Sequence, residues 1–197
     1  ASPWPCGATT VLSNRDIRRR IDEGAIVIEP MPADTAFGGA SVDLTLSYNI
    51  RFFDSSRTTH IDYRKIGEDP GYLTSITQPV DLSDGKPLIL HPGRVVICST
   101  EERVRVPLDL CGELHGRSSL ARLGVLPHTA GKVDPGWDGT LTLEVSNLGE
   151  LPVALYPGEA ICQIVFHEMS SAVDPLLAKV RSRYHGQVGP TVARAEW

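Results

Sequence analysis

Short strand-like segments separated by turn signals dominate this chain. Residues 41–46 and 141–145 alternate apolar and polar side chains, whereas Asp134-Pro135-Gly136 and Pro157-Gly158 are typical turns. The chain contains 15 prolines and 18 glycines, which suits frequent interruption of the strands. Strands are predicted at residues 25–28, 41–46, 88–90, 95–99, 141–145, 153–155 and 160–166. Many short strands with regular turns predict a mainly β domain of the barrel or jelly-roll type.

One helix is predicted before the strands begin. Ser13 can cap its first turn, Asp16 falls at the third helical position, and Gly24 provides a stop. Between them Ile17 and Ile21, four residues apart, form a narrow apolar stripe.

Length and composition limit the class of protein. With 197 residues and 41% hydrophobic residues, the chain suits one domain with arms. A net charge of -5 gives no broad basic surface for nucleic acid, although a few local arginines can still hold a small phosphorylated ligand. No apolar run approaches the length of a membrane span. The four cysteines form no Cys-x-x-Cys pair, so we expect free thiols in a reducing cytoplasm.

Three regions are expected along the chain. Residues 1–11 look like a leader, disordered or part of a tag, and residues 12–175 form the β domain. Residues 176–197 are polar, basic and rich in turn residues, which predicts an arm.

Residues 116–122 combine two arginines with two serines and no acidic residue. Arg117 and Arg122 offer guanidinium groups, and Ser118 and Ser119 offer hydroxyls, a set that suits a polyphosphate. The same composition also fits a surface turn followed by a short helix. Further along, Asp134 could cap a turn and Trp137 could be a core residue.

Glu144 lies in an alternating segment. Leu141, Leu143 and Val145 share one face of the predicted strand, which leaves Glu144 on the other face. On an open face it would be an ordinary strand residue. In a closed pocket, burial would raise the pKa of its carboxyl group toward the neutral range in which a proton shuttle works.

Several motifs, in this order, resemble the dCTP deaminase family of the dUTPase-like superfamily. They are residues 13–17, 41–44 and 116–124, the turn 134–137, the pair Leu143-Glu144, the strand 157–164 that includes Gln163, and the tail 182–191. The resemblance extends from about residue 12 to residue 194. It implies a dUTPase-like distorted β-barrel that assembles as a homotrimer with active sites shared between subunits.

The resemblance also implies a role for each matching residue. Glu144 would take a proton from the water that attacks C4 of cytosine, and Ser118 and Arg122 would position that water and support Glu144. Asp134 would hold the sugar 3′-hydroxyl, and Trp137 would pack on the sugar and disfavour a 2′-hydroxyl. The remaining substrate contacts implied by the family are Arg117, Ser119 and Arg122 with the triphosphate, backbone groups of His128, Thr129 and Ala130 with the base, Gln163 in its strand, and Arg183, Tyr184 and Gln187 in the arm that closes over the phosphates.

The expected chemistry uses no protein-bound metal. Zinc-dependent deaminases carry a His-x-Glu and Cys-x-x-Cys signature, and this sequence has neither. Magnesium is expected to arrive on the nucleotide triphosphate rather than on protein side chains.

One departure from the family pattern leaves the reaction open. The loop between Gly124 and Asp134 is one residue shorter than usual in the family, and residues 57–62 and the pair Ala130-Gly131 resemble the bifunctional branch. The leading interpretation is conversion of dCTP and water to dUTP and ammonia. The alternatives are a bifunctional enzyme that gives dUMP and pyrophosphate, a diverged enzyme acting on another pyrimidine nucleotide, and a nucleotide-binding β trimer without activity.

Overall fold

The computed structural model describes residues 10–127, 130–176 and 183–194. The helices are α1 (Asn14–Asp22), α2 (Lys65–Glu68), α3 (Tyr72–Ser75) and α4 (Ser118–Ala121), with a short 3-10 helix at Asp34–Ala36. The strands are β1 (Val27–Glu29), β2 (Val42–Thr45), β3 (Asn49–Phe53), β4 (Thr77–Asp81), β5 (Leu88–Leu90), β6 (Val95–Arg105), β7 (Leu110–Gly116), β8 (Val125–Leu126), β9 (Lys132–Val133), β10 (Asp138–Asn147), β11 (Val153–Leu155) and β12 (Ala160–Glu168). The predicted mainly β class is therefore confirmed.

The described strands form three antiparallel sheets. The largest has the order β4-β3-β6-β10-β8, with β1 paired to the far end of β6. A second sheet has the order β2-β12-β7-β9, and β11 pairs with β5. The long strand β6 therefore has β10 along one edge and both β3 and β1 along the other.

Apolar faces of the two larger sheets meet in one core. Leu143 of β10, Cys98 of β6 and Phe166 of β12 are all fully buried in it. Burying the leucine and phenylalanine side chains contributes about 1.5–3 kcal/mol each to folding. Helix α1 closes one end of this core through Ile17, which is also fully buried.

The predicted helix is confirmed, including its cap. The Ser13 hydroxyl accepts a 3.4 Å hydrogen bond from the backbone N–H of Asp16. Gly24 follows the helix with a φ of 70°, a conformation that glycine adopts without steric cost.

The predicted strands are present, with some different bounds. The segments at 88–90 and 153–155 match β5 and β11, whereas β6 and β10 extend well beyond the predicted 95–99 and 141–145. Both extensions carry charged residues, for example Glu101 in β6, that local hydropathy does not assign to a strand. The prediction for 1–11 concerns residues that, up to residue 9, lie outside the described part of the chain.

Candidate active site

A cleft of about 490 Å³ lies beside β6 and β10 of the large sheet and reaches β7 and β9 of the second sheet. Its apolar lining comes from Phe53, Leu73, Val95, Ile97, Leu114, Ala130, Val133, Trp137, Leu141 and Ala193, and its polar lining comes from Lys132, Thr142, Glu144, Tyr184, Gln187 and Thr191. We call it the Glu144 cleft. An apolar cleft with a few polar groups is typical of a small-molecule site.

Glu144 lies on the face of β10 opposite to Leu143, as the alternating pattern predicted. Leu141, Leu143 and Val145 are buried in the alternating pattern, while Glu144 is half-buried and lines the cleft. It pairs across the sheet with Ile97 of β6. Burial raises the pKa of the neighbouring Cys98 thiol, and the charge of Glu144 adds to that effect. The residue before Glu144, Leu143, pairs with Cys98 and both are fully buried, so Glu144 lies at the edge of the core.

The turn before β10 places Trp137 in the same cleft. The backbone N–H of Trp137 bonds the carbonyl of Asp134 at 3.1 Å, and the indole N–H donates to the carbonyl of Gly139 at 3.2 Å. Trp137 is only 9% exposed. Asp134 is exposed, forms a 2.9 Å ion pair with Lys132, and does not line the cleft.

The described part of the C-terminal segment, residues 183–194, lies against β10. The backbone N–H of Thr140 donates to the carbonyl of Gln187 at 3.1 Å, and the Gln187 amide donates to the carbonyl of Thr140 at 2.9 Å. Thr191 donates to the other end of the Gln187 amide at 2.7 Å. The nitrogen and the oxygen of the buried Gln187 amide are thus both hydrogen-bonded within the chain. The bonds with Thr140 anchor the segment over the cleft.

Tyr184 lines the cleft, whereas Arg183 is exposed and does not. The Tyr184 hydroxyl accepts a 2.9 Å hydrogen bond from the backbone of Arg194, and the Arg194 guanidinium lies 5.6 Å from the tyrosine ring centre. The guanidinium also donates to the carbonyl of Arg183 at 3.0 Å.

The predicted phosphate-binding turn lies elsewhere on the chain. Arg117 forms a 3.0 Å ion pair with Asp43 and a 3.3 Å hydrogen bond to the carbonyl of Ala160. Gln163 supports this turn, because its amide donates to the carbonyl of Gly116 at 3.2 Å. The remaining residues of the turn are Ser118, Ser119 and Arg122, all exposed. None of the turn residues lines the Glu144 cleft of the same chain.

Of the other predicted contacts, Ala130 lines the cleft, and His128 and Thr129 lie outside the described residues. Sequence reasoning missed Lys132, which contributes the cleft's cationic lining among the described residues. No local pattern in the sequence indicated this position, because β9 is placed by its pairing with β7.

The described residues contain neither a cluster of metal-ligand type nor a membrane-spanning helix. No group of three or more His, Cys, Asp or Glu side chains is arranged to hold a metal ion. Within the same residues, no helix has the length and apolar character needed to cross a membrane.

Two relatives match this chain over more than 90% of its length. A relative from Mycobacterium sp. (strain KMS), a "dCTP deaminase, dUMP-forming", is 45% identical over 94% of this chain and 95% of its own. A relative from Rhodospirillum rubrum, a "dCTP deaminase", is 42% identical over 93% of this chain and 95% of its own.

A solved structure shares the fold. The 2′-deoxycytidine 5′-triphosphate deaminase of Agrobacterium tumefaciens superposes with a TM-score of 0.63 and 24% identity. The superposition covers 82% of this chain and 49% of that one, so this chain spans about half its length.

The family model described as dCTP deaminase-like matches residues 11–169, which include the Glu144 strand and the turn at 116–122. With this match and two relatives above 40% identity over nearly the full length, the chain belongs to the dCTP deaminase family.

Proposed function

We propose that this protein deaminates dCTP and also cleaves the triphosphate, giving dUMP, pyrophosphate and ammonia. The leading interpretation of the sequence is the dUTP-forming reaction. The comparisons support the dUMP-forming alternative better. The Mycobacterium relative is named as dUMP-forming. The pair Ala130-Gly131 and residues 57–62, which resemble the bifunctional branch, point the same way.

The observation that carries the proposal is the position of Glu144. Its half-buried carboxylate lines an apolar cleft that the C-terminal segment covers through Tyr184, Gln187 and Thr191. A base held in a cleft with restricted water can hand a proton to a bound ligand instead of losing it to solvent.

In the deamination step, Glu144 accepts a proton from water while the water oxygen bonds to C4 of cytosine. The proton passes to the ring nitrogen. The new hydroxyl then gives up its proton through Glu144 to the amino group, the C4–N bond breaks, and ammonia leaves with C4 as a carbonyl. Each proton removed is returned, so Glu144 ends as it began.

In the cleavage step, a second water attacks the α-phosphorus and pyrophosphate departs. Asp134 is the proposed helper for this water, since it is an exposed carboxylate beside the cleft residue Lys132. Magnesium carried on the triphosphate would offset charge on the phosphate oxygens, and it needs no carboxylate cluster of the protein.

Arg117, Ser118, Ser119 and Arg122 are proposed to act on the Glu144 cleft of a neighbouring subunit. They are absent from the lining of the cleft in their own chain. A homotrimer with cyclic symmetry would let the turn of one subunit serve the cleft of the next. Ser118 and Arg122 would then position the attacking water, and Arg117 and Ser119 would hold phosphates.

The test is a product assay on the purified protein with dCTP and Mg²⁺, in which ammonia is measured and the nucleotide is identified. Ammonia with dUMP and pyrophosphate supports the proposal. Ammonia with dUTP supports the single-step alternative, and turnover only of CTP or dCMP supports a diverged enzyme. Binding of dCTP without turnover would identify a nucleotide-binding protein instead.

A further inference from the structure

A second cleft, of about 590 Å³, adjoins the Glu144 cleft. One of its walls is formed by Ile66, Gly67, Pro70 and Thr74 around α2 and α3, and the other by residues 190–194 of the C-terminal segment. Thr191 and Ala193 line both clefts. We call this the arginine cleft, because Arg51 and Arg194 complete its lining.

The arginine cleft is positively charged in a protein with a net charge of -5. Its lining contains Arg51 and Arg194 and no Asp or Glu. Among the described residues, the side-chain partners of both guanidiniums are uncharged: a threonine hydroxyl for Arg51, and a backbone carbonyl and a tyrosine ring for Arg194. Two cationic groups without a carboxylate favour an anionic ligand.

Arg51 is held in place without being neutralised. Its Nε and Nη2 atoms donate to the Thr77 hydroxyl at 3.2 and 2.9 Å, and that hydroxyl donates to the carbonyl of Leu73 at 2.9 Å. No described residue bonds the Nη1 atom, which can therefore donate to a ligand. A fixed fork of N–H donors matches the oxygens of a phosphate.

The register of the large sheet connects the two clefts. Ile97 pairs with Arg51 on one side and with Glu144 on the other. Directly opposed residues share a face of a sheet, so Arg51 and Glu144 are on the same face, about 10 Å apart in backbone position at the usual strand spacing. That distance is within the span of a nucleoside polyphosphate.

We propose that the arginine cleft binds a polyphosphate group through Arg51 and Arg194. The choice of polyphosphate as the anion rests on the proposed function, whereas the preference for an anion rests on the charge of the cleft. Two sources share this chemistry: the phosphate chain of a nucleotide whose base lies in the Glu144 cleft, and a separate pyrophosphate or second nucleotide.

Calorimetric titration of the whole protein with inorganic pyrophosphate tests the proposal. Changing both Arg51→Gln and Arg194→Gln should weaken binding by about tenfold or more, because two charge-assisted contacts are lost. Arg64→Gln is the matched control: it removes the same charge from an exposed position nearby that does not line the cleft, and it should change binding less than about twofold.

The single variant Arg194→Gln keeps the test valid if the loss of the Arg51–Thr77 contact harms folding, because Arg194 is exposed. Unchanged pyrophosphate binding in a folded Arg194→Gln protein and in the double variant would overturn the proposal, as would a parent protein that binds no pyrophosphate.

A non-hydrolysable imido analogue of dCTP separates the two sources. If one analogue binds per chain and the arginine changes weaken that binding, the arginine cleft holds the phosphates of the nucleotide in the Glu144 cleft. If two analogues bind per chain and the arginine changes abolish only the second, the arginine cleft holds a separate anion. If dCTP yields no ammonia while arginine-dependent pyrophosphate binding persists, the proposed function fails and the arginine cleft remains.

Discussion

The buried carboxylate of Glu102 accepts hydrogen bonds from the backbone N–H of Thr45 at 2.9 Å and from its hydroxyl at 2.8 Å. Glu102 belongs to the large sheet and Thr45 to the second sheet, so the contact ties the two sheets together. Beside it, Thr100 accepts a bond from the N–H of Leu141 and donates to the carbonyl of Glu102. This network spans the irregularity in the β6–β10 register between Thr140 and Thr142, and thereby fixes the strand that carries Glu144.

Glu102→Gln should change how stability depends on pH. Burial raises the pKa of Glu102, against the lowering effect of its bonds with Thr45. An unfolded glutamate ionises at about pH 4.3, so above that pH the folded protein retains on Glu102 a proton that the unfolded chain has lost. The free energy of unfolding therefore falls as pH rises from the unfolded pKa through the raised folded pKa, and this contribution is fully present only below the unfolded pKa.

The glutamine variant lacks that titration. The difference between its free energy of unfolding and the parent's should therefore shift in favour of the variant as pH rises across this range. Urea denaturation of both proteins at a series of pH values measures the difference. Parallel stability curves would show that Glu102 has no raised pKa.

Glu144→Gln should abolish deamination and preserve nucleotide binding. The amide is nearly isosteric but cannot accept the proton from water, so we expect ammonia release to slow by about 10²–10⁴-fold. Glu150→Gln, at an exposed turn position, is the control and should keep the parent rate. Measuring kcat and the affinity for the dCTP analogue separates the two effects. Parent-rate ammonia release from Glu144→Gln would remove this residue from the mechanism.

Gly139→Ala should weaken docking of the C-terminal segment. The φ of Gly139 is 155°, and an added Cβ would lie 2.8 Å from the carbonyl oxygen of Gln187, too close for two unbonded atoms. We expect the KM for dCTP to rise by about tenfold, because the segment covers the cleft. Gly85→Ala is a control, since Gly85 also has a positive φ but open space around its Cβ position. Equal KM values for the two variants would contradict a closing role for the segment.

The sequence predicted the parts of this fold that local patterns determine. The cap at Ser13 and the alternating face of Glu144 follow from side-chain periodicity, and both are present in the structure. The pairing of β3 with β4 was missed, because the 23 residues between these strands carry α2 and α3 rather than a short turn. The position of Lys132 and the arginine cleft depend on contacts between distant segments, which periodicity does not encode.

The separation of Ser118 from the Glu144 cleft leads to a test by subunit mixing. If each site takes Glu144 from one subunit and Ser118 from its neighbour, Ser118→Ala and Glu144→Gln should each be nearly inactive alone. In trimers that contain both variants, one interface in three would combine an intact Glu144 with an intact Ser118, so about one third of parent activity should return. Mixing Ser118→Ala with Arg122→Gln is the control: both changes affect the same side of a site, so no interface becomes intact. The measurement is ammonia release from co-expressed, differently tagged subunits purified through both tags. Recovery no greater in the first mixture than in the control would place Ser118 outside a site shared with Glu144.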